Sequence, residues 1–196
     1  MDQPQSIRVL YIEDDPGLAR LMQKRLGRAG YTVDIAADGQ EGIARYHAVT
    51  YDVVLVDQSL PIHDGLEVIR ILSANGTLPP TIMITGTGDE RVAVEAMKLG
   101  ADDYIVKDVD GGYLNLLPSV IKKALQQRHA VKEKQRAEEA LRKEQEKFQT
   151  LVEESPLGVS IIGEENRFNY INHTLTEIFG YALEDVPTER EWFAKA

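Results

Sequence analysis

Five side chains at separated points of this chain could do chemistry together: Glu13, Asp14, Asp57, Thr85 and Lys107. Each follows an apolar run. Ile-Arg-Val-Leu-Tyr-Ile at 7–12 leads into Glu13, and Tyr-Asp-Val-Val-Leu-Val at 51–56 leads into Asp57. Thr-Ile-Met-Ile at 81–84 leads into Thr85, and Asp-Tyr-Ile-Val at 103–106 into Lys107. Carboxylates held close together repel one another and raise each other's pKa. A hard divalent cation with oxygen ligands removes that conflict. Mg2+ fits best, because it uses few carboxylates, keeps waters and takes phosphate oxygens. Beside such an ion, Asp57 could act as a nucleophile and form an acyl-phosphate. The charge of a transferring phosphoryl group would then be spread over the cation, the Lys107 ammonium and the Thr85 hydroxyl.

That chemistry requires the runs to be strands ending at one edge of one sheet. The residues between them support this. After Glu13-Asp14-Asp15, Pro16 suits a helix's first turn, and Asp15 suits its N-cap. Leu18, Leu21, Met22, Leu26 and Ala29 then recur at helical spacing, and Gly30 offers a stop. Thr32–Ala36 reads as a second strand, Asp38-Gly39 as a turn, and Ile43–Val49 as a helix. Tyr51–Asp57 is apolar on both faces, as a central parallel strand should be. Pro61–Gly65 reads as a loop before a helix lined by Leu66, Ile69 and Leu72. Gly86-Thr87-Gly88 turns the fourth strand into a helix carrying Val92, Ala96 and Leu99, stopped by Gly100. Strands alternating with helices predict right-handed crossovers and an α/β fold. The expected architecture is a flavodoxin-like, doubly wound, five-stranded parallel sheet in the order 2-1-3-4-5. Strands 1 and 3 would then be neighbours where the order reverses, which is where ligands sit in such sheets.

Composition narrows the function classes. With 196 residues, 43% hydrophobic and 28% charged, the chain is an ordinary globular sequence and not a disordered one. A formal net charge of −10 argues against nucleic-acid binding by this segment. The absence of cysteine removes disulfides, thiolate zinc sites and cysteine nucleophiles, and is compatible with the cytoplasm. Met1–Ser6 lacks the pattern of a signal peptide, and no apolar run approaches the roughly 18 residues that span a bilayer. We therefore expect a cytoplasmic protein with no membrane contact by this segment. His47, His63, His129 and His173 are scattered and read as neither catalytic nor metal-binding.

From about Leu114 a helix runs for some 40 residues. A seam spaced four and three apart passes through Val120, Ala124, Gln127, Val131, Lys134, Glu138, Leu141, Gln145, Phe148 and Val152. Its polar middle suits a two-stranded parallel coiled coil of modest strength, or a solvated helical linker. After Ser155-Pro156, residues 157–162 and 168–171 read as a hairpin around Glu164-Glu165-Asn166, with a short helix from Asn172 to Gly180.

The motifs around the five reactive residues resemble the receiver domain of two-component response regulators over residues 5–127. They are Val9–Pro16, Asp52–Pro61, Asp64-Gly65, Ile84-Thr85-Gly86 and Gly100–Lys107. The resemblance implies that Asp57 is the phosphoacceptor. It implies that Asp14 holds Mg2+ directly, Glu13 through water, and the Ser59 backbone carbonyl as a further ligand. Thr85 and Lys107 would contact the phosphoryl group, and Tyr104 would be the switch aromatic that turns inward with Thr85. The donor would be a sensor histidine kinase or phosphotransfer protein. One departure stands out: the family usually follows its lysine with a proline in a cis peptide, and here Asp108 follows Lys107. That bond is either trans or strained.

Residues 148–196 resemble the opening of a PAS sensory domain through Phe148–Val159, Tyr170-Ile171-Asn172 and Ile178–Tyr181. The expected organisation is therefore a receiver at 5–127, a helical linker at 128–152 and a partial α+β PAS-like segment at 153–196. The expected function is a phosphorylation-dependent switch that relays its state through helix 5 and the linker, with homodimerisation through that region. No stand-alone enzyme is expected beyond phosphoryl transfer to Asp57. The alternatives are a phosphorylation-independent scaffold, or a regulatory piece of a larger receiver-PAS histidine kinase or cyclic-dinucleotide enzyme. An aspartyl phosphohydrolase is disfavoured, because such enzymes carry a second Asp where Ser59 stands.

Overall fold

The computed structural model describes residues 6–74, 76, 78–86, 90–108, 110–185 and 187–195. The N-terminal reading of Met1–Gln5 and most of the Gly86-Thr87-Gly88 turn lie outside the described residues. Backbone packing divides the chain into two units, Met1–Val131 and Lys132–Ala196.

In the first unit, five strands form one sheet: β1 (Arg8–Ile12), β2 (Thr32–Ala36), β3 (Val53–Asp57), β4 (Thr81–Thr85) and β5 (Asp103–Val106). Their order is β2-β1-β3-β4-β5, and every pair is parallel. Because successive strand residues point to opposite faces, the apolar runs feed two cores. Val9, Tyr11, Val53, Leu55, Ile82 and Ile84 pack on one side. Leu10, Ile12, Val54, Val56 and Met83 pack on the other. The first core is closed by Met22 and Leu26 of α1 (Pro16–Arg28) and by Leu114, Leu117 and Ile121 of α5 (Tyr113–Glu153). The second is closed by α2 (Gly39–Ala48), α3 (Gly65–Ala74) and α4 (Glu90–Leu99), through Ile43, Ile69, Leu72 and Ala96 among others.

Two boundaries differ from the sequence reading for identifiable reasons. β3 begins at Val53 and not Tyr51: the Asp52 N–H still bonds the Arg8 carbonyl at 2.8 Å, but the Arg8 N–H goes to the Asp52 carboxylate at 2.7 Å and not to a backbone carbonyl. Helix α2 begins at Gly39 and not Ile43, because Asp38 is its N-cap. The Asp38 carboxylate accepts the Glu41 N–H at 2.7 Å, while Glu41 reaches back to the Ala37 N–H at 2.8 Å. Well inside α5, Arg128 fastens the helix to the residue before β5: its guanidinium donates to both carboxylate oxygens of Asp102 at 2.6 and 3.1 Å. Of the seam residues, Ala124 is buried in the first core and Val120 packs against it. Val131, Leu141 and Phe148 are exposed. Among the described residues, no helix is long and apolar enough to cross a membrane.

The second unit takes up the end of α5 and adds a hairpin of β6 (Ser160–Ile162) and β7 (Phe168–Ile171), then α6 (His173–Phe179) and α7 (Glu189–Lys195). Trp192 of α7 stacks edge-on against Phe179, with ring centroids 4.8 Å apart, and tilts over Phe168 at 5.6 Å. β6 is shorter than the apolar run suggests: Leu157 precedes it and is exposed. Asn172 organises this unit. Its side-chain oxygen caps α6 at the Leu175 N–H (3.0 Å) and accepts the Val159 N–H (2.8 Å). Its amide donates to the carbonyls of Val152 and Leu157, both at 2.9 Å. A buried amide with all these bonds satisfied ties the last turn of α5 to the hairpin and to α6.

Candidate functional site

The five reactive residues meet at the carboxyl edge of the sheet. Asp57 is the last residue of β3, Thr85 the last of β4, and Lys107 follows β5. Glu13 and Asp14 follow β1, which the strand order makes the neighbour of β3. Glu13, Asp14 and Asp57 each offer a carboxylate oxygen, and these oxygens lie within 4.8 Å of one another. Glu13 and Asp57 are buried and Asp14 is exposed, so the cluster opens to solvent on one side.

Lys107 is the counter-charge. Its ammonium donates to Asp57 Oδ1 at 2.8 Å and to Glu13 Oε2 at 3.0 Å. Burial works against its charge, yet the bonds to Asp57 and Glu13 outweigh it and hold the ammonium's pKa above the usual lysine value. Glu13 is also shifted upward, but here burial is the cause. Burial raises its carboxyl above the ordinary range despite the Tyr11 hydroxyl and Lys107, which favour its charged form. The Ser59 N–H donates to Asp57 Oδ2 at 3.2 Å, so the backbone of the β3–α3 loop also holds this carboxylate. The Thr85 hydroxyl is buried without a hydrogen-bond partner among the described residues. An orphaned hydroxyl is costly unless the site uses it.

Three clustered carboxylates and an unpaired hydroxyl form a hard oxygen donor set that fits Mg2+ and a phosphoryl group. Bound there, Mg2+ would neutralise charge on the carboxylates and on phosphoryl oxygens. Tyr104 stands at 45% exposure on β5, turned outward. Asp15 is the N-cap of α1, accepting the Gly17 and Leu18 N–H groups at 2.7 and 2.9 Å. The Lys107–Asp108 peptide is trans, which resolves the two options left by the missing proline. Asp108 instead supports the start of α5: its carboxylate accepts the Tyr113 N–H at 3.1 Å.

The family described as the response regulator receiver domain matches residues 9–117. The chain belongs to the receiver family. Residues 146–195 match a PAS domain family. The chain is 37% identical over 107 residues to the transcriptional regulatory protein ResD of Bacillus subtilis, covering 55% of this chain and 44% of that protein. It is 41% identical over 103 residues to the response regulator ArlR of Staphylococcus saprophyticus, covering 53% and 46%. It thus spans less than half the length of these relatives. Among solved structures, a CheY-like receiver domain from Methanospirillum hungatei matches with a TM-score of 0.56 at 29% identity, covering 63% of this chain and 98% of that one. TrrA of Thermotoga maritima, solved in complex with Mg2+-BeF, matches with a TM-score of 0.54 at 27% identity, covering 60% and 98%. The first unit is therefore a two-component receiver domain, a phosphorylation-dependent switch module.

The sequence reading missed three residues that shape these sites. Tyr11 sits in the receiver's first strand with no exposed surface and donates its hydroxyl to Glu13 Oε2 at 2.6 Å. The signal was a phenol inside an otherwise aliphatic run, two residues before an acid. Gly65, which the sequence places at the end of a loop, is the first residue of α3. A Cβ there would stand 2.4 Å from the Asp57 carbonyl oxygen, so only glycine lets α3 start this close to the end of β3. Asn172 was assigned to a helix, and its network was not anticipated.

Proposed function

We propose that Asp57 accepts a phosphoryl group from a histidine of a sensor kinase or phosphotransfer protein. The P–N bond to the donor histidine breaks, an O–P bond to Asp57 forms, and the released imidazole takes up a proton. Asp14, Glu13, Asp57 and the Ser59 carbonyl would hold Mg2+, which would supply charge neutralisation, and Lys107 and Thr85 receive the phosphoryl oxygens. The observation that carries the reading is the 2.8 Å bond from Lys107 to Asp57 within a cluster of three carboxylates. In this reading the ammonium that balances Asp57 before transfer balances the phosphoryl group after it.

Phosphorylation then shifts a pre-existing equilibrium. The Thr85 hydroxyl gains its missing partner, Tyr104 moves from its exposed position, and the change reaches α5. The organisation we propose is a receiver at 5–127, a helical linker at 128–152 and a PAS-like segment at 153–196. Val131, Leu141 and Phe148 along the linker support homodimerisation there, since they recur at heptad spacing and are exposed.

Incubation with Mg2+ and a small phosphodonor should add a single phosphoryl group of about 80 Da, and Asp57→Asn should not acquire it. Mass unchanged in the native protein, or gained equally by Asp57→Asn, would remove this reading. Polar substitution of Leu141 and Phe148 should abolish dimerisation seen by sedimentation. It should also weaken any phosphorylation-dependent output.

A further inference from the structure

Tyr11 belongs to the first core of the receiver, where its ring packs fully buried. A buried phenol needs a hydrogen-bond partner, and many carbonyls could serve. Its partner here is a carboxylate of the acidic cluster: the hydroxyl donates to Glu13 Oε2 at 2.6 Å. The rest of Glu13's bonding differs in kind. Lys107 contacts both of its oxygens, at 3.0 and 3.4 Å, and the Asp15 N–H reaches Oε1 at 3.4 Å. Lys107 has a second duty at Asp57, 2.8 Å away. Among the described residues, Tyr11 thus supplies the shortest bond to Glu13, and it comes from a group with no role toward a phosphoryl group. Glu13 directly follows β1, and its N–H still bonds the Ala36 carbonyl at 3.0 Å, so the extended backbone and the two-residue offset place the Tyr11 and Glu13 side chains on the same face.

We infer that Tyr11 is a positioning residue for Mg2+: it holds the Glu13 carboxylate in place as Lys107 exchanges it for the phosphoryl group. This rests on the Mg2+-dependent phosphoacceptor reading above and adds a residue to it. Hydrogen bonds from outside the ligand set orient ligating carboxylates, and losing one weakens metal binding about 10–100-fold. The core position fixes the direction of the bond: the ring cannot turn away without displacing neighbours packed at crystal-like density.

The test is Tyr11→Phe, which keeps the ring and removes the hydroxyl. Mg2+ binding to the full chain is measured by isothermal titration, and phosphorylation by a small phosphodonor is followed as a function of Mg2+ concentration. The expected result is a Mg2+ dissociation constant raised about tenfold, with phosphorylation at saturating Mg2+ within about twofold of the native protein. In a Glu13→Ala background the same substitution should leave Mg2+ affinity unchanged, because its effect passes through Glu13. An unchanged dissociation constant in Tyr11→Phe overturns the inference while leaving the phosphoacceptor reading intact. A lowered phosphorylation plateau without a shift in Mg2+ dependence also overturns it, since that is the signature of a structural role only. A native protein that binds no Mg2+ overturns both.

Discussion

Lys107 Nζ lies 2.8 Å from Asp57 Oδ1 and 3.0 Å from Glu13 Oε2, so one ammonium balances two buried carboxylates from different strands. Removing it strands both charges. Lys107→Gln should lower stability by about 1–3 kcal/mol, below the full cost of breaking a buried pair because the lysine is partly exposed. Added Mg2+ should recover part of that loss by binding the folded state preferentially. Urea unfolding with and without Mg2+ measures both effects. Equal stability of native and variant proteins without Mg2+ would show that the pair contributes nothing net.

Ile62, in the loop between Asp57 and α3, has φ of 71°, a left-handed conformation that β-branched residues avoid. The side chain is 66% exposed, so little burial offsets the strain. Ile62→Gly relieves roughly 1–2 kcal/mol of strain and costs about 0.4–1 kcal/mol through the more flexible unfolded chain. The expected outcome is a small net gain in stability, read as a raised melting temperature. A lowered one would show that the side chain, not the backbone, dominates here.

Asn172→Ala removes the α6 cap and takes the partner from the Leu157 carbonyl and the Val159 N–H, while the Val152 carbonyl keeps the Ser155 N–H at 3.3 Å. Loss of a cap costs about 1 kcal/mol; Leu157 is exposed, so water can reach its carbonyl, and the part-buried Val159 N–H adds about 1–3 kcal/mol. The second unit should lose about 2–4 kcal/mol. Hydrogen exchange should accelerate across β6, β7 and α6 while the β1–β5 sheet keeps its protection. Uniform protection in the variant would place the stability of this unit elsewhere.

Glu41 ties α2 to the residue before its cap. Its carboxyl is held below the usual range by the Ala37 N–H, and further by Arg45. A carboxyl lowered on folding stabilises the protein above its unfolded pKa, and that contribution disappears as pH falls through the folded value. Glu41→Gln should therefore lower the melting temperature at neutral pH and show a shallower decline on acidification below the ordinary glutamate value of 4.5. Parallel melting curves for native and variant proteins between about pH 3 and pH 7 would contradict the sign of this linkage.

The sequence alone determined the receiver architecture. Apolar runs closed by Glu13, Asp57, Thr85 and Lys107, with helical periodicity between them, admit few chain paths, because parallel crossovers have one handedness and ligand-binding edges gather at strand ends. It also placed Asp15 as a cap, since a cap bond spans only the next three residues. What needed tertiary structure were the bonds between positions distant along the chain or hidden inside a strand. The Lys107–Glu13 pair joins residues 94 apart. The Tyr11 hydroxyl finds Glu13 because Glu13 follows β1 directly, two residues on and on the same face. Asn172 gathers Val152, Leu157, Val159 and Leu175 only once the hairpin has folded back on α5. Local periodicity reports which face a residue takes, and only packing in three dimensions decides which polar tip on that face meets which partner.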